Sequence, residues 1–361
     1  MNSPAHRLSD ASLPASPSGL VLRFDPKHSP EGRPRLACSI ASAINPNLER
    51  ADAHVMRWVV ELGLVRVQAT EKYARFVAAR FPWLAARAYP EVDAEQLELI
   101  TDWITFVFFF DDMCDTQASI DPDYMVKLVA REDRLIALAR GDVLREGDTP
   151  LDHALVDILA RVGRWASDAW RQRLAGHITE YLEGCRWERL IRMQGRVPRL
   201  ATYSKLRLLV SAVFPCFDLA GIGIDGRRLD FVRNVYVEQL EVMANNHICW
   251  VNDIYGLDKE ISEQTTSNLV VVLADQYGLT WDQALDRAIE MCNSELEAFT
   301  ELAAQLEQLD DTDSRAYVRA LQAWMRGNLD WYADTRRYAI EDDQAMAACW
   351  TTWTRWELGK D

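Results

Sequence analysis

No stretch of this 361-residue sequence approaches the roughly 18 uncharged apolar residues of a membrane span, and the first thirty residues hold no apolar run of signal-peptide length. Stable membrane insertion is therefore not expected, and a cytoplasmic location is. Paired cysteines are also missing. Cys38, Cys114, Cys185, Cys216, Cys249, Cys292 and Cys349 are scattered singly without a CxxC spacing, which removes a zinc or disulfide framework and points to free thiols in a reducing compartment. Basic charge is in deficit, with 40 Lys and Arg against 55 Asp and Glu for a net charge of -15. Such a surface repels polyanions, so no nucleic-acid partner is expected, and an anionic ligand would need metal ions or a local basic cluster. Alternating strand patterns, hairpin turns and internal repeats are absent as well.

What is there is helix-forming sequence. Seven of the 13 prolines fall before residue 47, and residues 1–20, rich in Ser, Ala and Pro, are expected to form a disordered tail. From Leu48 onward, Ala, Leu, Arg, Glu and Trp recur at three- and four-residue spacing, as in "LERADAHVMRWVVELGLV" and "YVRALQAWMRGNLDWYADTRRY". Breaks are expected at "FPW" (81–83), "YPEVDAE" (89–95), "DPDY" (121–124), "REGDTP" (145–150), "RVPRLATY" (196–203) and "GIGIDGRR" (221–228), where Gly or Pro stands near a capping residue. This pattern predicts an all-α fold of ten to twelve helices, with residues 21–361 as one domain, since no linker interrupts residues 45–356.

Two acidic stripes carry the candidate chemistry. In "FVFFFDDMCD" (106–115), Asp111, Asp112 and Asp115 follow directly on an apolar run. If helical, Asp111 and Asp115 share a face one turn above Phe108 and Val107. Such carboxylates suit Mg2+, which takes oxygen ligands and bridges carboxylates to substrate phosphates; taken alone, the same pattern fits an acidic helix end. In "NHICWVNDIYGLDKE" (246–260), Asn252, Gly256 and Glu260 drift only about 80° around a helix and form a second stripe.

In these stretches the chain resembles a microbial class I terpene synthase. Asp111, Asp112 and Asp115 match that family's aspartate-rich motif, and "NDIYGLDKE" matches its second motif, in which Asn, Ser or Thr, and Glu hold one Mg2+. "WERLIRMQGRVPRLATYSKLR" (187–207) is similar to the family's WE, Pro, Tyr and Arg run, which implies that Arg207 senses diphosphate. Arg337 and Tyr338 match an Arg-Tyr pair, with Trp331 seven residues before Tyr338 where an aromatic is usual. Three departures stand out. Gly256 replaces the hydroxyl residue, Val210 replaces a polar linker between the sensing arginine and a helix break with Ser211 following as the effector, and Asp115 is often not a direct ligand in the family.

The resemblance implies Mg2+-dependent ionisation of an isoprenoid diphosphate, foremost farnesyl diphosphate, followed by cyclisation to a sesquiterpene. Three Mg2+ ions per site are implied, with Mn2+ able to substitute, and a homodimer is common among relatives. Asp111, with Asn252 and Glu260, would hold the metals; Arg207, Lys259, Arg337 and Tyr338 would contact phosphate oxygens; Asp112 would pair with Arg337 on closure. Phe108 and Trp331 are the aromatic faces expected to steady a cation. Asn245, seven residues before Asn252, either brings a polar atom into the cavity or satisfies backbone, and His247 is read as packing. The alternatives are a diterpene synthase using geranylgeranyl diphosphate, a prenyl diphosphate synthase, which would need a second aspartate-rich motif, and a non-catalytic isoprenoid-binding protein.

Overall fold

The computed structural model describes residues 36–66, 70–114, 121–226, 228, 230, 232–262, 265–306, 311–335 and 337. Residues 1–20, Asp115 and Tyr338 lie outside these. Regular structure among the described residues is entirely α-helical. The first seven helices are α1 (Leu48–Glu61), α2 (Thr70–Ala79), α3 (Phe81–Ala88), α4 (Ala94–Cys114), α5 (Pro122–Ala139), α6 (Pro150–Val162) and α7 (Asp168–Met193). They are followed by α8 (Leu200–Val210), α9 (Val213–Asp225), α10 (Val235–Ser262), α11 (Leu269–Tyr277), α12 (Trp281–Leu306) and α13 (Thr312–Trp331).

Helix starts follow their capping residues. Asp121 accepts from the Asp123 and Tyr124 N–H groups with Pro122 in the first turn of α5, Asn268 does the same for Val270 and Val271 at α11, and Asp311 for Asp313 and Ser314 at α13. Two places depart from the sequence-based expectation. The chain breaks between α8 and α9 without a glycine, through Ala212 held at φ 54, with Pro215 in the first turn of α9. That left-handed conformation costs an L-residue about 1–2 kcal/mol, and Ala212 itself does not announce it. Conversely, "GIGIDGRR" does not open with a break, because Gly221 and Gly223 lie inside α9. Gly221 is there for proximity: a Cβ on it would come within 2.4 Å of the Trp170 ring.

Burial sorts the helices into a wrapped centre and an outer layer. α12 buries one stripe, Trp281, Ala284, Leu285, Ala288, Ile289, Cys292, Leu296, Phe299, Ala303 and Leu306, at helical spacing. α4 is buried on every side over Leu99–Val107, which is how a helix that is apolar all round behaves in a soluble core. It packs on α1, α3, α6 and α9, while α10 packs on α12 and α13 and α13 on α3 and α9. No single described helix is long and apolar enough to cross a membrane.

α13 approaches α3 closely at Gly327, where an added Cβ would lie 2.5 Å from Arg87 C and 2.7 Å from Ala88 N. Those atoms are backbone and cannot rotate away. Gly327→Ala should therefore destabilise the protein by about 3 kcal/mol or more, at the upper end for overpacking, and a chemical denaturation midpoint like that of the parent would refute this close approach.

Candidate active site

The C-terminal half of α4, the α8–α9 break, α10 and the C-terminal half of α13 enclose a cavity with two chambers. One is apolar, lined by Leu84, Ile104, Val107, Val213, Ile248, Trp324 and Trp331 among others. The other is polar, lined by Glu188, Lys259, Glu260, Thr265, Ser267 and Arg337 among others. Phe108, Asp111, Arg207, Val210 and Asn252 belong to both and form the common wall. The edge between phenylalanine and aspartate in the sequence thus becomes the edge between the two chambers.

The acidic end of α4 is held from outside the helix. A helix C-terminus leaves carbonyls without intrahelical partners, and here Tyr124 OH donates to Met113 O at 3.0 Å and Arg192 Nη2 to Cys114 O at 2.6 Å. Asp111 Oδ1 accepts from Tyr181 OH on α7 at 2.5 Å. Asp112 accepts from Arg337 Nη2 at 2.6 Å and Nη1 at 3.4 Å, a forked pair whose side chains are 10% and 7% exposed. The two aspartates therefore do different things despite being adjacent.

The α10 wall is built around buried amide and carboxylate groups. Asn252 Oδ1 accepts from Arg207 Nη2 at 2.8 Å, and its Nδ2 donates to Tyr332 OH at 2.6 Å. Glu260 Oε2 accepts from Asn268 Nδ2 at 2.9 Å, and the same Nδ2 donates to Asp253 O at 2.8 Å. Burial and then the Asp253 carboxylate push Glu260 up to about 8, a carboxylate whose charged form would favour a nearby cation. Burial alone would lower Arg207, but Asp253 outweighs it and raises the guanidinium well above its usual value. Gly256 is buried on α10 between the two ligands expected of this stripe, and Lys259 lines the polar chamber.

The fold places Phe108 against two neighbours, resolves the two readings of Asn245 and keeps His247 as packing. Phe108 lies in the common wall, but Phe81 stacks on it at 4.5 Å and the Arg337 guanidinium lies over it at 4.6 Å. The Phe108 ring thus already has a cation over it, while Trp331 and Trp324 also line the apolar chamber. Trp331 satisfies its Nε1 on the Ala79 and Arg80 carbonyls at 3.1 Å and turns its ring to the apolar chamber. Asn245 is fully buried and does not line the cavity: Nδ2 donates to Leu208 O at 3.1 Å, and Oδ1 accepts from Ser211 Oγ at 3.0 Å, so its amide ties down the end of α8. Ser211 does line the apolar chamber. His247 is 1% exposed and burial lowers it to about 4, as fits a packed neutral imidazole.

A family model described as "Terpene synthase family 2, C-terminal metal binding" matches residues 102–298, a span that includes Asp111, Arg207, Asn252 and Glu260. (+)-T-muurolol synthase of Roseiflexus castenholzii is 33% identical over 85% of this chain and 94% of its own length. The chain belongs to terpene synthase family 2. Germacrene A synthase of Nostoc punctiforme is 29% identical over 84% of this terpene synthase and 94% of its own length. The crystal structure of a-eudesmol synthase shares the fold at a TM-score of 0.73 and 24% identity, covering 83% of this chain and 98% of that one. The metal binding of the family fits the residues present, although no three His, Cys, Asp or Glu side chains cluster as a metal site among the described residues. The oxygen donors are split instead between α4 and α10 around one polar chamber, and hard cations accept carboxylate and amide oxygens alike.

Some residues of this terpene synthase site were not found from sequence. Tyr181, Tyr332 and Asp253 each contact a site residue, but an isolated Tyr or Asp on a long helix has the same spacing signal as packing. Tyr332 is further fixed by stacking on Tyr255 at 4.3 Å and 6°.

Proposed function

We propose that this terpene synthase ionises farnesyl diphosphate, releases diphosphate and cyclises the resulting carbocation to a sesquiterpene. The observation that carries the reading is the common wall, in which Asp111, Arg207 and Asn252 stand between an apolar and a polar chamber. A hydrocarbon tail with a diphosphate head has the same polarity and the same junction. Two relatives support the fifteen-carbon chain, since the (+)-T-muurolol and 4-epi-cubebol synthases are both described as (2E,6E)-farnesyl diphosphate cyclizing.

Asp111, Asn252 and Glu260 would hold Mg2+, which as a Lewis acid neutralises charge developing on the leaving diphosphate. Asp115, outside the described residues, joins this set by sequence, and Tyr338, also outside them, would contact the phosphate oxygens. Arg207, Lys259 and Arg337 line the polar chamber and would donate to the phosphate oxygens, as guanidinium and ammonium groups do in charge-assisted hydrogen bonds. The Asp112–Arg337 pair closes over Phe108 and screens the apolar chamber from water, which a carbocation would otherwise capture. Trp324, Trp331 and Tyr332 line the chamber where the cation travels, each ring contributing attraction of about 0.5–2 kcal/mol.

The test is diphosphate release from farnesyl diphosphate with and without Mg2+, with gas chromatography of the extract. Metal-dependent release together with a cyclic fifteen-carbon product is expected. No metal-dependent release from geranyl, farnesyl or geranylgeranyl diphosphate would sink the assignment.

A further inference from the structure

Asp253 follows Asn252 directly, yet its side chain is turned into the protein and is completely buried. Its Oδ2 accepts from the Tyr203 hydroxyl of α8 and from the Leu269 N–H of α11 at 2.6 Å. Its Oδ1 accepts from Arg207 Nε at 2.9 Å, with Arg207 Nη2 at 2.8 Å from the same oxygen. Donors from two other helices thus fix the carboxylate, because turning it would leave buried donors unpaired. Arg207 Nη2 also donates to Asn252 Oδ1 at 2.8 Å, whereas Nη1 makes no hydrogen bond among the described residues of a side chain that lines both chambers.

This arrangement has a built-in conflict. If Asn252 Oδ1 is a metal ligand, a divalent cation and a guanidinium nitrogen compete for one oxygen, and their like charges repel. The bond from Nε to Asp253 is not part of that conflict. Resting on the function proposed above, we propose that Asp253 is a positioning residue that holds Arg207 by Nε as a pivot, so that Nη2 passes from Asn252 to the diphosphate while the guanidinium stays in the site.

Asp253→Asn retains the shape and an acceptor but removes the charge that holds Arg207. Calorimetry with inorganic diphosphate and Mg2+ should show binding weakened about tenfold or more, the loss of a charge-assisted hydrogen bond's geometry. Because Asp253 acts through Arg207, the double variant Arg207→Ala with Asp253→Asn should bind no more weakly than Arg207→Ala alone. Turnover should split the same way, kcat falling far more than KM rises, as for an interaction made mainly in the transition state. Wild-type affinity in Asp253→Asn, losses that add in the double variant, or a wild-type protein that does not bind inorganic diphosphate would each overturn the proposal.

Should Asp253→Asn fail to fold, Tyr203→Phe loosens the same carboxylate more gently. It should weaken diphosphate binding about threefold in the presence of Arg207 and not in its absence. An equal loss in both backgrounds, or none in either, overturns the pivot. The two assignments fail separately: absence of wild-type turnover on farnesyl diphosphate sinks the reaction, while the binding cycle with inorganic diphosphate alone still decides the role of Asp253.

Discussion

Asp111→Ala is expected to lower turnover of farnesyl diphosphate by at least about a thousandfold, or about 4 kcal/mol of barrier, with helical content unchanged. The size follows from the division of labour at the end of α4. Asp112 is committed to Arg337, and Asp111 is the carboxylate that lines both chambers. Removing it takes away an oxygen ligand at the point where leaving-group charge develops, which the remaining amide of Asn252 cannot replace. Helical content should survive because Arg192 and Tyr124 hold the last turn of α4 by its carbonyls, independently of Asp111. The variant does strand the buried Tyr181 hydroxyl, at a cost of about 1–3 kcal/mol in stability. Glu260→Ala, on the other wall, should show the same loss of turnover. Circular dichroism and diphosphate release measured on both proteins check the prediction, and wild-type-like rates in either would remove that residue from the metal set.

The parts of this site that could be read in the sequence are those where two physical signals coincide. Asp111 and Asp112 follow an apolar run, and that run becomes a helix buried on all sides. Asn252 and Glu260 share a stripe at helical spacing, and both reach the polar chamber. Helix starts were legible where a capping side chain stands beside a proline, as at Asp121 with Pro122. Where one residue type serves two purposes the pattern misled. Gly221 and Gly223 suggested a break but provide close packing within α9. Ala212 makes a break that no glycine marks, with Pro215 three residues on as the nearest cue, and an alanine has no local preference for its left-handed backbone. That break contributes to a helix count of thirteen among the described residues, above the ten to twelve expected.

Contacts between distant helices were the least legible. Nothing in the spacing of α7 tells Tyr181, which bonds Asp111, from the packing residues around it. Likewise Phe108 has the right helical direction to face a cation, and only the tertiary structure places Phe81 and Arg337 against its ring. Periodicity reports which side of a helix is apolar; it carries no information on which partner arrives there.

Arg337→Ala should lower turnover by about a hundredfold, or about 2.7 kcal/mol of barrier, through three losses at one position. The first is a charge donated to the polar chamber, where Arg337 is a lining residue. The second is the partner of Asp112, whose carboxylate is 10% exposed and would be left beside the substrate phosphates as an uncompensated like charge. The third is the cation over Phe108, 4.6 Å from the ring centroid, which holds the lid of the apolar chamber in place. Arg337→Lys should recover only part of the rate. A lysine ammonium keeps the charge, but it cannot fork to both Asp112 oxygens as Nη1 and Nη2 do. Asp112→Ala should cost less than Arg337→Ala, and the double variant should lose less than the sum of the two, because the repulsion created by removing the arginine disappears with the aspartate. Strict additivity of the two losses in kcat/KM would show that the pair acts as two independent phosphate-site residues, and would remove the closure role assigned to it.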